Sequence, residues 1–553
     1  NRFDTEKAIT ELENSIKAKP ELITLRFSLA QLYLQSDQLE KAEALYQWII
    51  EKYGLEPDGL KARTALAVLR VQQGDFGAAR TLLAEVLKEN PKDNDALLLQ
   101  GRIDFQQKKY PAAIVSFRSV LKDRPDSAEV MTLLAAAHQK NGENELALEN
   151  LQRAVELEPK NQDARIRLAQ IQATGGDLDS ALEQVNAALE VDPANVIALR
   201  VKAELLSRQG DAEELETVLT QIEEAAPDEG LGFFGKGRLY MQQKKYAEAV
   251  AAYDEALKRE PESILVLTEM VSAELAMGQP DAALARLHAI LEDNPKHPAA
   301  HVLLGMVYMN KQDYSRAEEE FTRQLDIHEN SSVLFTQIAK ARLQQKNIAG
   351  AEAILQQGLD VLPGDVRLVA GLAAFYVSQG ELDKAADAYR QGIAVAEDKP
   401  SLMLGLAIIH EQQQRYDDAI RLYEQILEKN PENLVAINNM VALISDYRQD
   451  DTSLQKAKVL ARKLENTKQP ALMDTLGWLY YRLGEYEQAA EVLSSVVEQE
   501  HEVPVFRYHL GMTYYRQGDA RAAREILSGA VSDEFSYSGV AEARRVYTEL
   551  TGN

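Results

Sequence analysis

Three constellations in this sequence have residue types and spacings that chemistry could use. Gly230-Leu231-Gly232-Phe233-Phe234-Gly235 fits the GxGxxG string of dinucleotide-binding loops, where glycines let the backbone approach a pyrophosphate. That chemistry needs a preceding strand and a strand–helix–strand crossover. No strand pattern precedes Gly230, and the string falls inside a helical repeat, so no cofactor is expected there. His297 and His301 stand four apart, with His328 further on, as the first ligands of a zinc site would. Pro298 interrupts the pair and places His297 in a turn, and neither an HExxH string nor a cysteine completes a ligand set. Packed or solvated histidines are expected instead, with no metal. Acidic runs such as Glu318-Glu319-Glu320 read as solvated helix faces rather than acid–base pairs. There is no phosphate-cradling loop, no GxSxG elbow and no calcium loop, and the absence of cysteine excludes disulfides and thiolate metal sites. The expectation is a chain that is not an enzyme, with no catalytic residues and no cofactor.

The elements that carry these residues repeat. Proline stands at 57, 91, 125, 159, 193, 227, 261 and 295, every gap being 34 residues, and the phase returns at Pro363 and Pro431. Twelve residues before the proline place comes an alanine: Ala79, Ala113, Ala147, Ala181, Ala249, Ala283, Ala317, Ala351, Ala385 and Ala419. Twelve residues earlier stands another small residue, among them Gly101, Ala135, Ala169, Gly237, Gly305 and Ala407. Eight before the proline sits a larger group, such as Phe117, Tyr253, Phe321 or Tyr423. Small residues let two helices approach, and the large one fills the space they open. Apolar residues recur at helical spacing within each unit, and turns such as Gln73-Gly74-Asp75 and Gln379-Gly380-Glu381 split the unit into two helices. Proline closes the second helix, and Asp, Ser or Asn follows to cap the next, as in Pro125-Asp126-Ser127.

The beat falters in three places. Between 207 and 230 the alanine is missing, with Glu214 read in its place, and the following helix opens on Gly230, Gly232, Gly235 and Gly237; a variant loop or a hinge is expected there. Gly54-Leu55-Glu56 adds about three residues, and 446–452 lengthens another turn; both are expected to bulge from one edge.

These places resemble the tetratricopeptide repeat, and the unit from Leu231 to Glu260 shows the pattern nearly whole, with Gly237, Tyr240, Ala249, Tyr253, Ala256 and then Pro261. The resemblance spans essentially the whole chain. It implies an all-α, right-handed superhelical solenoid of about fifteen helix–turn–helix units, with a half-repeat at the N-terminus and a C-terminal capping helix. The corresponding segments are 1–20 (the truncated repeat), 21–229 (N-terminal array), 230–469 (central array after the glycine-rich unit), 470–534 (a C-terminal pair with an aromatic groove) and 535–553 (the cap). In this family the first helix of each unit lines a concave groove. The paired lysine and asparagine with which some members clamp a peptide's terminal carboxylate are missing: the matching places read Leu98/Arg102, Thr132/Ala136, Ile166/Gln170, Arg200/Glu204, Phe234/Arg238 and Thr336/Lys340. Nor is there an asparagine ladder; Asn438 and Asn439 stand alone. Instead Trp478, Tyr481, Arg482, Tyr508, Met512, Tyr515 and Arg516 fall on the inner places of two consecutive units, as an exposed aromatic groove or as rings wedged between units. Phe234, Arg238, Met241, Met306 and Met309 form a weaker set.

Composition narrows the partner. The chain has 553 residues, 45% apolar and 27% charged, enough to bury a core. A net charge of −26 opposes binding to nucleic-acid phosphates or to an anionic membrane, and excludes the similar helical repeat that reads RNA. The longest apolar run, Val302 to Met309, is far short of the roughly 20 residues of a membrane helix. The start at Asn1 is expected to mark a piece of, or a processed form of, a longer chain. The function expected is a scaffold or adaptor that holds a protein or peptide partner, of undetermined oligomeric state; the alternative is the recruiting array of a larger enzyme. The closing stretch from Asp474 to Trp478 resembles long bacterial envelope proteins of exopolysaccharide export or protein sorting, which implies the periplasm or envelope over the cytoplasm.

Overall fold

In the computed structural model the described residues are 2–297, 299–448, 450–465 and 467–552, with the side chains of 2–5 left aside; Asn1 and Pro298, named above, and Gln449, within the lengthened turn at 446–452, lie outside them. These residues form α-helices and one 3-10 turn, with no strand among them. Arg2–Ala18 stands first, and first and second helices then alternate fifteen times in chain order, from Ile23–Gln35 with Leu39–Tyr53 to Pro504–Gln517 with Ala520–Leu527. Val540–Thr551 follows as a closing helix. The chain folds as two compact units, Asn1–Gly278 and Gln279–Asn553. No described helix is long and apolar enough to cross a membrane.

The 34-residue period is written into the backbone as well as the side chains. At the turn between first and second helices φ is positive at 74, 108, 142, 176, 210, 244, 278, 312, 346, 380 and 414. Glycine occupies six of these eleven places, where its lack of a Cβ removes the steric penalty of the left-handed conformation; Lys108, Lys244, Gln312, Lys346 and Gln414 adopt it with a side chain. After the second helix, a side-chain oxygen two residues past the proline accepts from a backbone N–H of the next helix: Asp93 from Ala96 at 2.9 Å, Asn161 from Ala164 at 3.1 Å, Asn195 from Ala198 at 3.0 Å. Each bond satisfies a donor that the first turn of the helix leaves without a partner.

Packing follows the small–large alternation. All ten alanines of the series from Ala79 to Ala419 have no exposed surface. Gly101 faces Phe117, Gly237 faces Tyr253 and Gly305 faces Phe321, sixteen residues on in each case, and a Cβ on the glycine would come within 2.5, 2.3 and 2.4 Å of a ring carbon. The three rings are fully buried. Burial of each ring stabilises its unit by about 1.5–3 kcal/mol, and the glycine is what admits it.

The irregular unit keeps its helices and varies in the loop that joins them. Gly232, Gly235 and Gly237 lie in a continuous helix, Leu231–Gln242, with no break in it; the connection from Ala225 takes five residues against four between Glu89 and Asn94, and Gly230 caps the helix without a side-chain bond. Gly232 and Gly235 lie against the preceding helix, where a Cβ would meet the Leu219 carbonyl oxygen at 2.8 Å and the Leu219 side chain at 2.3 Å respectively. The buried residue in the alanine place is Leu215, not Glu214. Glu214 points outward to Lys202 at 2.6 Å, because one residue along a helix turns the side chain by about 100°.

Candidate functional site

The glycine string and the histidines have structural explanations. The string has a helix before it, Ala212–Ala225, where a dinucleotide fold would have a strand. His297 stands in the capping place, two residues past Pro295, and its Nδ1 accepts from the backbone N–H of Ala299 and Ala300 at 3.3 and 3.2 Å. His301, on the helix that follows, faces Glu320 at 2.6 Å, while His328 is exposed. Among the described residues no group of three or more metal-ligating side chains is placed to hold an ion.

The C-terminal aromatic set is brought together, but largely inside the protein. Trp478, Tyr508 and Met512 are 6%, 3% and 2% exposed, so the open aromatic groove is corrected at these three residues. The reason is the stack they form. The Trp478 ring lies between Tyr481, with centroids 4.4 Å apart, and His509 at 4.1 Å, both nearly parallel. Its Nε1 donates to Asp446 Oδ1 at 2.9 Å, and His509 Nδ1 lies 2.9 Å from both oxygens of buried Asp474. Tyr508 donates to Glu542 of the closing helix at 2.8 Å; burial, reinforced by that carboxylate, pushes its hydroxyl far above the usual tyrosine range. Tyr515 donates to Glu549 at 2.8 Å. Tyr481, Arg482 and Tyr515 remain half-buried, and Arg516 is exposed with its guanidinium 5.4 Å from the Tyr486 ring. The accessible part is thus a narrow rim of two tyrosines and two arginines on a packed base.

The weaker set divides between the units. Met306, 42% exposed, and half-buried Met309 lie on Ala300–Asn310 in the second unit. Phe234, Arg238 and Met241 lie on Leu231–Gln242 in the first, where Phe234 and Arg238 line a cavity of about 640 Å³ together with Ile197, Arg200 and Leu231. Gly235 forms part of its wall, where the absent Cβ makes room for the Leu219 side chain that also lines the cavity. Arg200, Glu204 and Arg238 are exposed. The other three cations on these two helices are taken up by the protein itself: Lys202 by Glu214 at 2.6 Å, Lys236 by Glu223 at 2.7 Å, and Arg208 by the Ala173 carbonyl at 2.8 Å. Arg200 and Arg238 make no hydrogen bond or ion pair among the described residues; the charge of Arg238 is felt by buried Tyr253, whose hydroxyl burial pushes up to about 12.

Sequence reasoning missed Ile197 and Leu231 as members of this groove, and read Arg200 only as a groove place where the lysine–asparagine clamp is missing. The signal was available. Asp95, Glu129 and Asp163 open the first helices of three successive units, and the same place then changes to Ile197, Leu231 and Leu265. Ile197 and Leu265 are 62% and 58% exposed, so their apolar character is not spent on a core.

Comparison with known families agrees with the repeat. A model of the tetratricopeptide repeat matches residues 274–341 and 342–400, a second matches 376–433 and 475–538, and a model described as the N-terminal ARM repeat of tetratricopeptide repeat protein 21 matches 71–284. No curated protein matches the sequence. Similar solved structures include Naa15/Naa10 bound to HypK-THB, at 15% identity and TM-score 0.40, covering 99% of this chain and 97% of that one. Yeast Tom70 has 14% identity and TM-score 0.36 over 74% of this chain and 100% of its own. MamA from Desulfovibrio magneticus RS-1 has 20% identity and TM-score 0.29 over 32% and 97%. With the repeat pattern, its buried alanines and the family models in agreement, the chain is a member of the tetratricopeptide-repeat family, whose fold is typical of protein–protein interaction scaffolds.

Proposed function

We propose that this chain is a scaffold that holds a segment of a partner protein against the first helices of its units, with the groove around Phe234 and Arg238 as the principal contact. The observation that carries the reading is the cavity of about 640 Å³ in which apolar Ile197, Leu231 and Phe234 adjoin two arginines that make no hydrogen bond or ion pair among the described residues. Apolar and aromatic groups beside arginine are the residue types that contribute most to protein interfaces. The C-terminal rim of Tyr481, Arg482, Tyr515 and Arg516 is the secondary contact, supported by the rigid base beneath it. The same proposal sets the scaffold in a bacterial envelope assembly or secretion complex, supported by the resemblance of the stretch from Asp474 to Trp478.

A photo-reactive phenylalanine analogue placed at Phe234 tests the reading in source cells. Crosslinks to one protein, lost when Arg238→Glu is added, are the expected result. Crosslinks only from the second-helix surface, with the analogue at Val115 (65% exposed), would overturn it.

A further inference from the structure

We infer that the segment held in the first-unit groove is acidic: it places an apolar side chain between Ile197, Leu231 and Phe234 and a carboxylate between Arg200 and Arg238. The inference rests on the groove reading above and adds the chemistry of the occupant.

The argument is one of charge left over. The chain carries 61 lysines and arginines against 87 aspartates and glutamates, so a cation has carboxylates in excess to pair with. On the two helices that carry the groove's arginines, Val196–Gln209 and Leu231–Gln242, Lys202, Lys236 and Arg208 have found protein acceptors. The two arginines that line the cavity have not, although Glu204 lines it too and lies one helical turn from Arg200. Planar guanidinium groups offer paired donors that match a carboxylate, and a concave apolar wall lowers the local dielectric and strengthens that match. Glu204 adds selectivity: it repels a carboxylate displaced toward it, so the acid must sit on the arginine side of the apolar anchor. The exposed Leu265 one unit further on extends the apolar strip and favours a segment with more than one apolar residue.

The probes are short synthetic peptides carrying one phenylalanine or leucine flanked by glutamate, by lysine or by serine, titrated against the whole chain at low and high salt. The glutamate set is expected to bind at least about tenfold more tightly than the serine set, with the preference fading in high salt. Arg200→Ala and Arg238→Ala should each reduce the preference about tenfold and leave helicity unchanged. Phe234→Ala should weaken all sets together. Binding that ignores charge but still requires Phe234 would overturn the acidic occupant and leave the groove standing. Binding that Phe234→Ala does not touch, or no binding in any set, would overturn the groove and the inference with it. Self-association abolished by Arg238→Glu would assign the groove to a second copy and also overturn the inference.

Discussion

Tyrosine hydroxyls bond glutamates across the seams between successive units, and they give the residue scale its pH dependence. Tyr240 donates to Glu216 and Tyr376 to Glu352, each at 2.6 Å and each across 24 residues. The glutamate bond first, then burial, raises Tyr240 to about 12; burial first, then the bond, does the same for Tyr376. A phenol is neutral when protonated, and the folded value lies above the ordinary 10.0. The pairs therefore contribute fully below pH 10 and lose their contribution as pH rises toward about 12. Alkaline titration followed by circular dichroism should show helix loss in that window, and Tyr240→Phe with Tyr376→Phe should reduce the part of it that these two seams contribute. The glycine–aromatic pairs make a second prediction at this scale. Gly305→Ala forces a methyl into the Phe321 ring and should destabilise the second unit by about 1–3 kcal/mol; adding Phe321→Leu should restore most of the loss in a denaturant titration. These pairs were legible in the sequence because small and large residues alternate at fixed spacing. The tyrosine–glutamate seams were not, because carboxylates occur on every helix face and only the packing shows which one a hydroxyl reaches.

At the scale of the element, the turn conformation separates residues that fit it from residues that bear it. Gly142 and Lys108 occupy equivalent places with φ of 82° and 60°. Gly142→Ala should cost about 1 kcal/mol, whereas Lys108→Gly should gain up to about 1 kcal/mol, since only the first change adds a Cβ where the backbone disfavours one. Amide exchange in the flanking helices, Ala128–Lys140 and Asn94–Gln106, reads both effects locally. Helix boundaries, prolines and oxygen caps could be read from residue type. His297 could not, since a ring nitrogen as cap acceptor has no composition signal, and the sequence placed it only in a turn as a packed or solvated ring. A second device also escaped notice. Arg26, Arg165 and His301 lie six residues past Pro20, Pro159 and Pro295 and contact those carbonyls at 2.5, 2.7 and 3.4 Å. The two arginines there meet the negative end of the preceding helix, and the spacing becomes visible only when the repeat is aligned on its prolines.

Across the molecule, the fold was readable because every unit solves the same packing problem, so one weak signal is repeated until it becomes strong. The site was harder to read because function resides where units differ, at exposed places the fold leaves free. Trp478 shows how the two can be confused. Its inner place and neighbouring arginines gave it the profile of a contact residue, yet it is the filler between two units, held by Asp446 and by rings on both faces. Trp478→Ala is therefore expected to act through stability. Loss of a buried indole costs about 3–5 kcal/mol, and in a stacked array such a loss falls on adjoining units. Exchange should accelerate in Leu434–Tyr447, Pro470–Arg482, Pro504–Gln517 and Val540–Thr551, while Ser332–Gln344 in the same unit keeps its native rate. Tyr515→Ala, at the half-buried rim, should leave exchange in Pro470–Arg482 nearly unchanged. If Trp478→Ala weakens partner binding without changing exchange, the indole is a contact after all; if both fall together, the contact belongs to the rim that the indole supports.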